Sequence, residues 1–322
     1  MPIRLLNLPV VRRIEYLDDF LKSIEQGCSR EEIEEVLAER KRYFEREKIL
    51  AVGRGNPYRK GIERTSRLAG HCRKISGELG LVMELEGELT LTEKGEQYLI
   101  LDEYQRKLYF CELFSRAYPH LGALVNSLNN NLEKSIIVPM KNKPPFRPEI
   151  ARYGLEIGQV AFDTLRDIST GIGVVNWFYS GSGVNRRQHV YLTCSVEDGK
   201  PNREYYRMFW GRKYIYALEN AVDLDVFREN LWNTYLDLND GIPGSPVFYS
   251  SLREKVCYAL RIRDDQFDSV ITELSDWDED LRIAPSEGVL PRLQDSASML
   301  KSLPPKTDYG NYIVFLKIMR RD

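Results

Sequence analysis

Apolar residues recur at three- and four-residue spacing over residues 11–26, with Ile14, Leu17, Leu21 and Ile24 on one face, which predicts a first helix stopped by Gly27. Ser29 followed by Glu32 reads as a capping box for a second helix, which runs to about residue 48 with Ile33, Val36, Leu37 and Phe44 on one side. Gly53-Arg54-Gly55-Asn56-Pro57 then breaks the chain. A third, arginine-rich helix is expected over residues 63–79, followed by a short hairpin over 82–91 and another helix opened by Thr92-Glu93-Lys94-Gly95.

A looser version of this order follows. Helical periodicity over residues 104–128 leads to a basic, proline-rich loop, Lys141-Asn142-Lys143-Pro144-Pro145-Phe146-Arg147-Pro148, and then to helices over about 149–152 and 157–168. Strands over 174–179 and 188–193 alternate in the β manner, joined by a glycine-containing loop that ends in Arg186-Arg187. From about 197 to 239 lies a connecting region dense in aromatic residues: Tyr205, Tyr206, Phe209, Trp210, Tyr214 and Tyr216, interleaved with Arg203, Arg207, Arg212 and Lys213. Such a mixture either packs neighbouring units together, its commoner role, or stacks on unpaired bases. A third unit carries helices over 250–261 and 266–274 and a terminal strand over 309–319, on which Tyr312, Val314 and Leu316 share a face. The expected divisions are residues 1–100, 101–196, the connector 197–239, and 240–322.

The order of helix, helix, helix and hairpin, closed by Leu91-Thr92-Glu93-Lys94-Gly95 and preceded by an arginine-rich helix, resembles the winged-helix superfamily over roughly residues 10–100. The tandem arrangement resembles the recognition domains of type IIS restriction endonucleases and multi-winged replication initiators. What the resemblance implies is a mainly α protein with β-hairpin wings, an α+β chain of tandem winged-helix units whose partner is double-stranded DNA. Carried onto this sequence, it puts Arg64, Thr65, Arg67, His71 and Lys74 towards the groove, where Arg and Lys reach guanine edges. Arg54, Arg59, Lys60 and Arg73 are then candidates for phosphate, as are Lys141, Lys143 and Arg147 of the basic loop and Arg186 and Arg187 of the second wing.

Charge changes the picture locally. Between Arg40 and Lys74 there are twelve bases against three acids, a net +9 inside a chain whose formal charge is −2. A neutral molecule with one concentrated basic stretch suits contact with a polyanion through one face. The first wing tip, Glu86-Gly87-Glu88, is acidic and would be repelled by phosphate, so this unit is expected to meet DNA by its helix and not its wing. Between Arg263 and Glu287 the sign reverses, with nine acids and two bases, and the third unit is expected to bind a protein partner or to pack against the others.

The remaining signals are mostly exclusions. The apolar runs are too short to span a bilayer, and charges at Arg12, Arg13, Glu15, Asp18 and Asp19 interrupt any secretion signal, which points to a cytoplasmic protein without a membrane partner. Cysteines 28, 72, 111, 194 and 257 and histidines 71, 120 and 189 have no metal-ligand spacing, and no cofactor motif is present. The nuclease-like triplets Glu39-Arg40-Lys41 and Asp198-Gly199-Lys200 fall in an expected helix and a glycine turn, not on the strand that chemistry requires. The reading is therefore a non-enzymatic, sequence-specific DNA-binding protein with no catalytic, metal or cofactor residues, the recognition component of a defence, restriction or replication system. Its rivals are a protein-interaction scaffold within a nucleic-acid-processing complex and a cryptic nuclease using Asp198 and Lys200.

Overall fold

A computed structural model describes residues 8–52, 65–139, 146–181, 187–277, 280–287, 305–306 and 312–320. The first helix, α1 (Ile14–Glu25), buries Ile14, Leu17, Phe20, Leu21 and Ile24, the stripe that its periodicity predicts. The second, α2 (Arg30–Val52), starts with the expected reciprocal cap: the Ser29 N–H donates to Glu32 Oε2 at 2.7 Å and the Glu32 N–H to Ser29 Oγ at 3.3 Å. These bonds hold the Glu32 carboxyl below its ordinary pKa. Asp19 on α1 takes both Arg40 Nε, at 2.6 Å, and Arg40 Nη2, at 2.9 Å, so one base of the positive run is committed to joining α1 and α2.

The third helix, α3 (Thr65–Glu78), ends in a left-handed glycine. The Gly80 N–H donates to the Gly77 carbonyl and the Leu81 N–H to the Ser76 carbonyl, while Gly80 sits at φ 70°, which together make a Schellman cap. The hairpin β1 (Val82–Leu85) and β2 (Glu88–Leu91) then turns through Glu86 and Gly87, both at positive φ, the geometry that suits the twist of two antiparallel strands. Thr92 caps α4 (Glu93–Ile100) by accepting the Gly95 N–H at 3.2 Å, and its hydroxyl donates to the Gly80 carbonyl at 2.6 Å. Gly95 itself lies against the Leu81 carbonyl: a Cβ there would stand 2.2 Å from that oxygen.

The helix expected over 104–128 is two helices, α5 (Glu103–Ala117) and α6 (His120–Asn130). Pro119 separates them, since it has no N–H to donate and pushes Tyr118 into an extended backbone. A strand that periodicity did not reveal, β3 (Ser135–Pro139), comes next, then α7 (Phe146–Ala151), α8 (Gln159–Ile172), β4 (Val175–Ser180) and β5 (Arg187–Leu192). These strands form one antiparallel sheet in the order β3-β5-β4.

The aromatic stretch expected as a connector is largely sheet. Strands β6 (Cys194–Glu197), β7 (Tyr206–Trp210) and β8 (Lys213–Glu219) pair antiparallel in the order β6-β8-β7, and β7 lies on α5. Tyr206 and Met208 point into the core, whereas Tyr205, Tyr214 and Tyr216 cluster on the other side, so packing accounts for most of this aromatic density. Helix α9 (Leu224–Leu238) follows, capped by Asp223, whose carboxylate accepts from the Asp225 and Val226 N–H groups. The last region holds β9 (Val247–Phe248), α10 (Tyr249–Leu260), α11 (Asp264–Trp277), β10 (Leu281–Glu287) and β11 (Ile313–Arg320), with sheet order β10-β11-β9.

Among the described residues every sheet is small and antiparallel and helices cover the larger share, an α+β architecture. One apolar cluster runs from Leu8 to Ala217 and a second joins Tyr191 to the region from Phe227 to Ile318. The turn between α10 and α11 is fastened to the middle of the molecule: Asn176 Nδ2 donates to Asp264 at 2.8 Å, Gln266 Nε2 to Glu219 at 2.8 Å, and Arg263 pairs with Glu219 at 2.7 Å.

The junction at Gly95 yields a test. Gly95→Ala should lower unfolding free energy by about 1–3 kcal/mol, because the methyl must displace backbone. Gly77→Ala on α3, where a Cβ meets nothing, should instead be neutral or stabilise by up to about 1 kcal/mol. Urea denaturation of the two variants decides it, and equal tolerance of both would contradict the close approach.

Candidate nucleic-acid interface

Helix α3 is two-sided because its apolar and polar residues follow a single helical period. Ala69, Cys72, Ile75 and Ser76 are buried, and the helix packs on α1 and α2 with this side. Arg67, His71 and Lys74, at i, i+4 and i+7, form a stripe on another side, in which Arg67 and Lys74 are exposed and His71 half-buried. Burial, then the nearby charges of Lys74 and Arg67, push the His71 imidazole below its usual pKa. The histidine therefore stands in this stripe as a neutral donor and acceptor at neutral pH, between two cations.

The other expected contacts divide three ways. Thr65 opens α3 and Arg147 belongs to α7. Arg73, expected to hold phosphate, is ion-paired with Glu84 on β1, which ties the helix to the hairpin. Lys74 also reaches Glu78 at 3.8 Å, a loose exposed pair, whereas no acid pairs with Arg67 among the described residues. Arg187 is exposed at the start of β5, where it lies opposite Pro139 and Ser180. Arg54, Arg59, Lys60, Arg64, Lys141, Lys143 and Arg186 lie outside the described residues.

The hairpin beside α3 has an unexpected face. Met83 and Leu85 alternate outward on β1 and are 47% and 59% exposed, next to the acidic turn at Glu86 and Glu88. Sequence reading took the tip for its charge alone and missed these two apolar residues, although their period-two spacing was available.

Part of the acidic run in the third region is spent inside the protein. Asp268 accepts from Tyr249 at 2.6 Å and from Arg253 Nη1 at 2.9 Å, and Arg253 is fully buried. Asp264 holds Asn176, and Asp265 holds Arg263 at 2.8 Å. Such buried, doubly bonded pairs fix packing, so these three carboxylates are withdrawn from any partner surface.

A cleft of about 510 Å³ lies where α1, α5, α8, β4 and the start of α11 meet. Its charges largely satisfy one another: Arg166 pairs with Asp167 at 2.5 Å and lies 3.9 Å from the Trp177 ring centre, and Arg263 is held by Glu219 and Asp265. Asp198 and Lys200 sit in the exposed turn after β6, and Arg40 of the other nuclease-like triplet is bound to Asp19 within the α1–α2 contact. Among the described residues no three His, Cys, Asp or Glu side chains converge as metal ligands. Burial pushes the Cys72 and Cys194 thiols up to about 12, which leaves neither as a ready nucleophile. No helix is long and apolar enough to cross a membrane.

Comparison with protein families, curated proteins and solved structures finds no match to this chain.

His71 reports directly on the stripe. Lys74→Gln removes a neighbouring positive charge and should raise the imidazole midpoint towards its ordinary value, as followed by NMR titration. An unchanged midpoint would mean that the two side chains do not share a face.

Proposed function

We propose that this chain binds double-stranded DNA through α3, with the segment over residues 8–100 acting as a winged helix and the β4–β5 hairpin as a second wing. The observation that carries the reading is the stripe of Arg67, His71 and Lys74 on the open side of a helix whose opposite side is packed on two others. A helix so held presents its side chains at the spacing of base edges, and its first turn leads in from a strongly basic stretch of sequence. Arg67 reads a guanine edge, His71 offers a neutral hydrogen bond, and Lys74 and Arg187 meet phosphate. Arg73 holds the hairpin to the helix through Glu84. In this reading the chain acts non-catalytically, as the recognition component of a defence, restriction or replication system.

A second reading is favoured by Met83 and Leu85. An exposed apolar pair beside an acidic turn suits a protein groove better than a phosphate backbone, and would make the chain a docking subunit of a nucleic-acid-processing complex.

The two readings separate in one titration. Fluorescence anisotropy with labelled duplex should show affinity falling steeply with salt, and Arg67→Ala with Lys74→Ala should weaken binding about tenfold or more while flattening the salt slope by roughly two. Met83→Ser with Leu85→Ser should leave duplex binding unchanged. Failure to bind duplex at low salt, or indifference to loss of Arg67 and Lys74, overturns the DNA reading in favour of docking.

A further inference from the structure

A groove of about 370 Å³ opens on the far side of α6, within the range of roughly 300–1,000 Å³ usual for small-ligand sites. It is built by a close approach. Gly122 on α6 lies under the end of β7, where a Cβ would come within 2.6 Å of the Phe209 carbonyl and 2.9 Å of Trp210 Cβ. The missing side chain lets Trp210 lie against α6, with Asn126 and Asn130 one and two turns further along the same face. The opposite wall is Tyr153 and Gly154, fixed by the Ser127 hydroxyl, which donates to the Tyr153 carbonyl.

The groove's polar groups are open. Neither the Asn126 nor the Asn130 carboxamide has a hydrogen-bond partner among the described residues, and the Trp210 ring has no aromatic or cationic neighbour there. Asn126 and Trp210 are nonetheless half-buried, so their amide and indole edges are partly withdrawn from water without being satisfied by protein. The turn that carries Trp210 continues through Gly211, at φ 64°, into exposed Arg212 and Lys213, and Arg152 stands exposed at the other rim.

We infer that this groove binds an unpaired nucleobase of single-stranded DNA, adenine above thymine. Trp210 supplies the stacking face, and a carboxamide offers the adjacent donor and acceptor that pair with an adenine edge. Arg152, Arg212 and Lys213 are placed for the flanking phosphates. The inference rests on the nucleic-acid reading for its ligand class but on none of the same residues. It gives the chain a second contact, for a strand locally opened or already single.

The test uses the full chain and labelled oligodeoxyadenylate, with oligothymidylate in parallel. The intact protein should bind oligodeoxyadenylate more tightly, and Asn126→Ala with Asn130→Ala should lose about tenfold and narrow the preference between the two. Trp210→Leu should lose a similar factor, and Trp210→Phe should recover most of it, because the smaller ring still stacks. Since the two carboxamides bond to nothing in the fold, the asparagine variant decides the matter even if Trp210→Leu destabilises the protein. Failure to bind either single strand, or equal binding by the asparagine variant, overturns the inference. Arg67→Ala with Lys74→Ala serves as the control and should leave oligodeoxyadenylate binding unchanged. Loss of duplex binding with asparagine-dependent single-strand binding intact would remove the duplex reading and sustain this one.

Discussion

The Leu81 carbonyl is the point on which the first unit turns. Its own N–H closes the cap of α3 on Ser76, its oxygen accepts the Thr92 N–H at 3.0 Å, and Gly95 passes directly against it. The end of α3, the start of β1, the end of β2 and the first turn of α4 therefore meet at one peptide. Backbone groups so satisfied leave little freedom of angle between the helix and the hairpin. That angle decides which side of α3 stays open, because α1 and α2 already cover Ala69, Cys72 and Ile75. The Leu-Thr-x-x-Gly run has a physical meaning here: threonine to cap, glycine to let a carbonyl in.

Charge density in the sequence fixes the sign of a region and not the identity of its free groups. Arg40 finds its carboxylate 21 residues away in Asp19, and Arg73 finds one 11 residues away in Glu84. Neither partner lies inside the basic run, so no count within the run reveals the pairing. The same holds with the opposite sign in the third region, where Asp264, Asp265 and Asp268 look like surface acid in sequence and are bound by Asn176, Arg263 and Arg253. Arg67 differs because its neighbours on α3, Ala69, Gly70 and His71, carry no acid, and it stays open for a partner.

How much was legible follows from how local each signal is. Helices α1, α2 and α3 and the β1–β2 hairpin were read from periodicity, a capping box and a glycine, all within a few residues of the elements they define. Strand β3 was not, since Ser135-Ile136-Ile137-Val138-Pro139 is one short apolar run whose partner, β5, lies about fifty residues on. The aromatic stretch misled for a related reason: it alternates as strands do, but its length and charge drew attention to stacking before pairing. Helix α9 carried a readable cap in Asp223 and a buried i, i+4, i+8 series in Phe227, Leu231 and Tyr235, and the connector reading passed over both.

The groove on α6 shows what such local reading cannot reach. Its floor depends on Gly122 and its stacking face on Trp210, 88 positions apart in sequence and joined only because α6 and β7 pack. The physics is that of Gly95 again, a missing side chain that admits another backbone, yet the outcome differs. At Gly95 every polar group in the contact is bonded, so the approach serves stability. At Gly122 the approach leaves two carboxamides and an indole half-buried and unanswered, which stability alone would not favour. A site built from neutral amides and one ring depends little on salt, whereas the α3 stripe depends on it strongly. The two faces thus divide the work by physical principle, with long-range attraction at the helix and shape and hydrogen bonding at the groove.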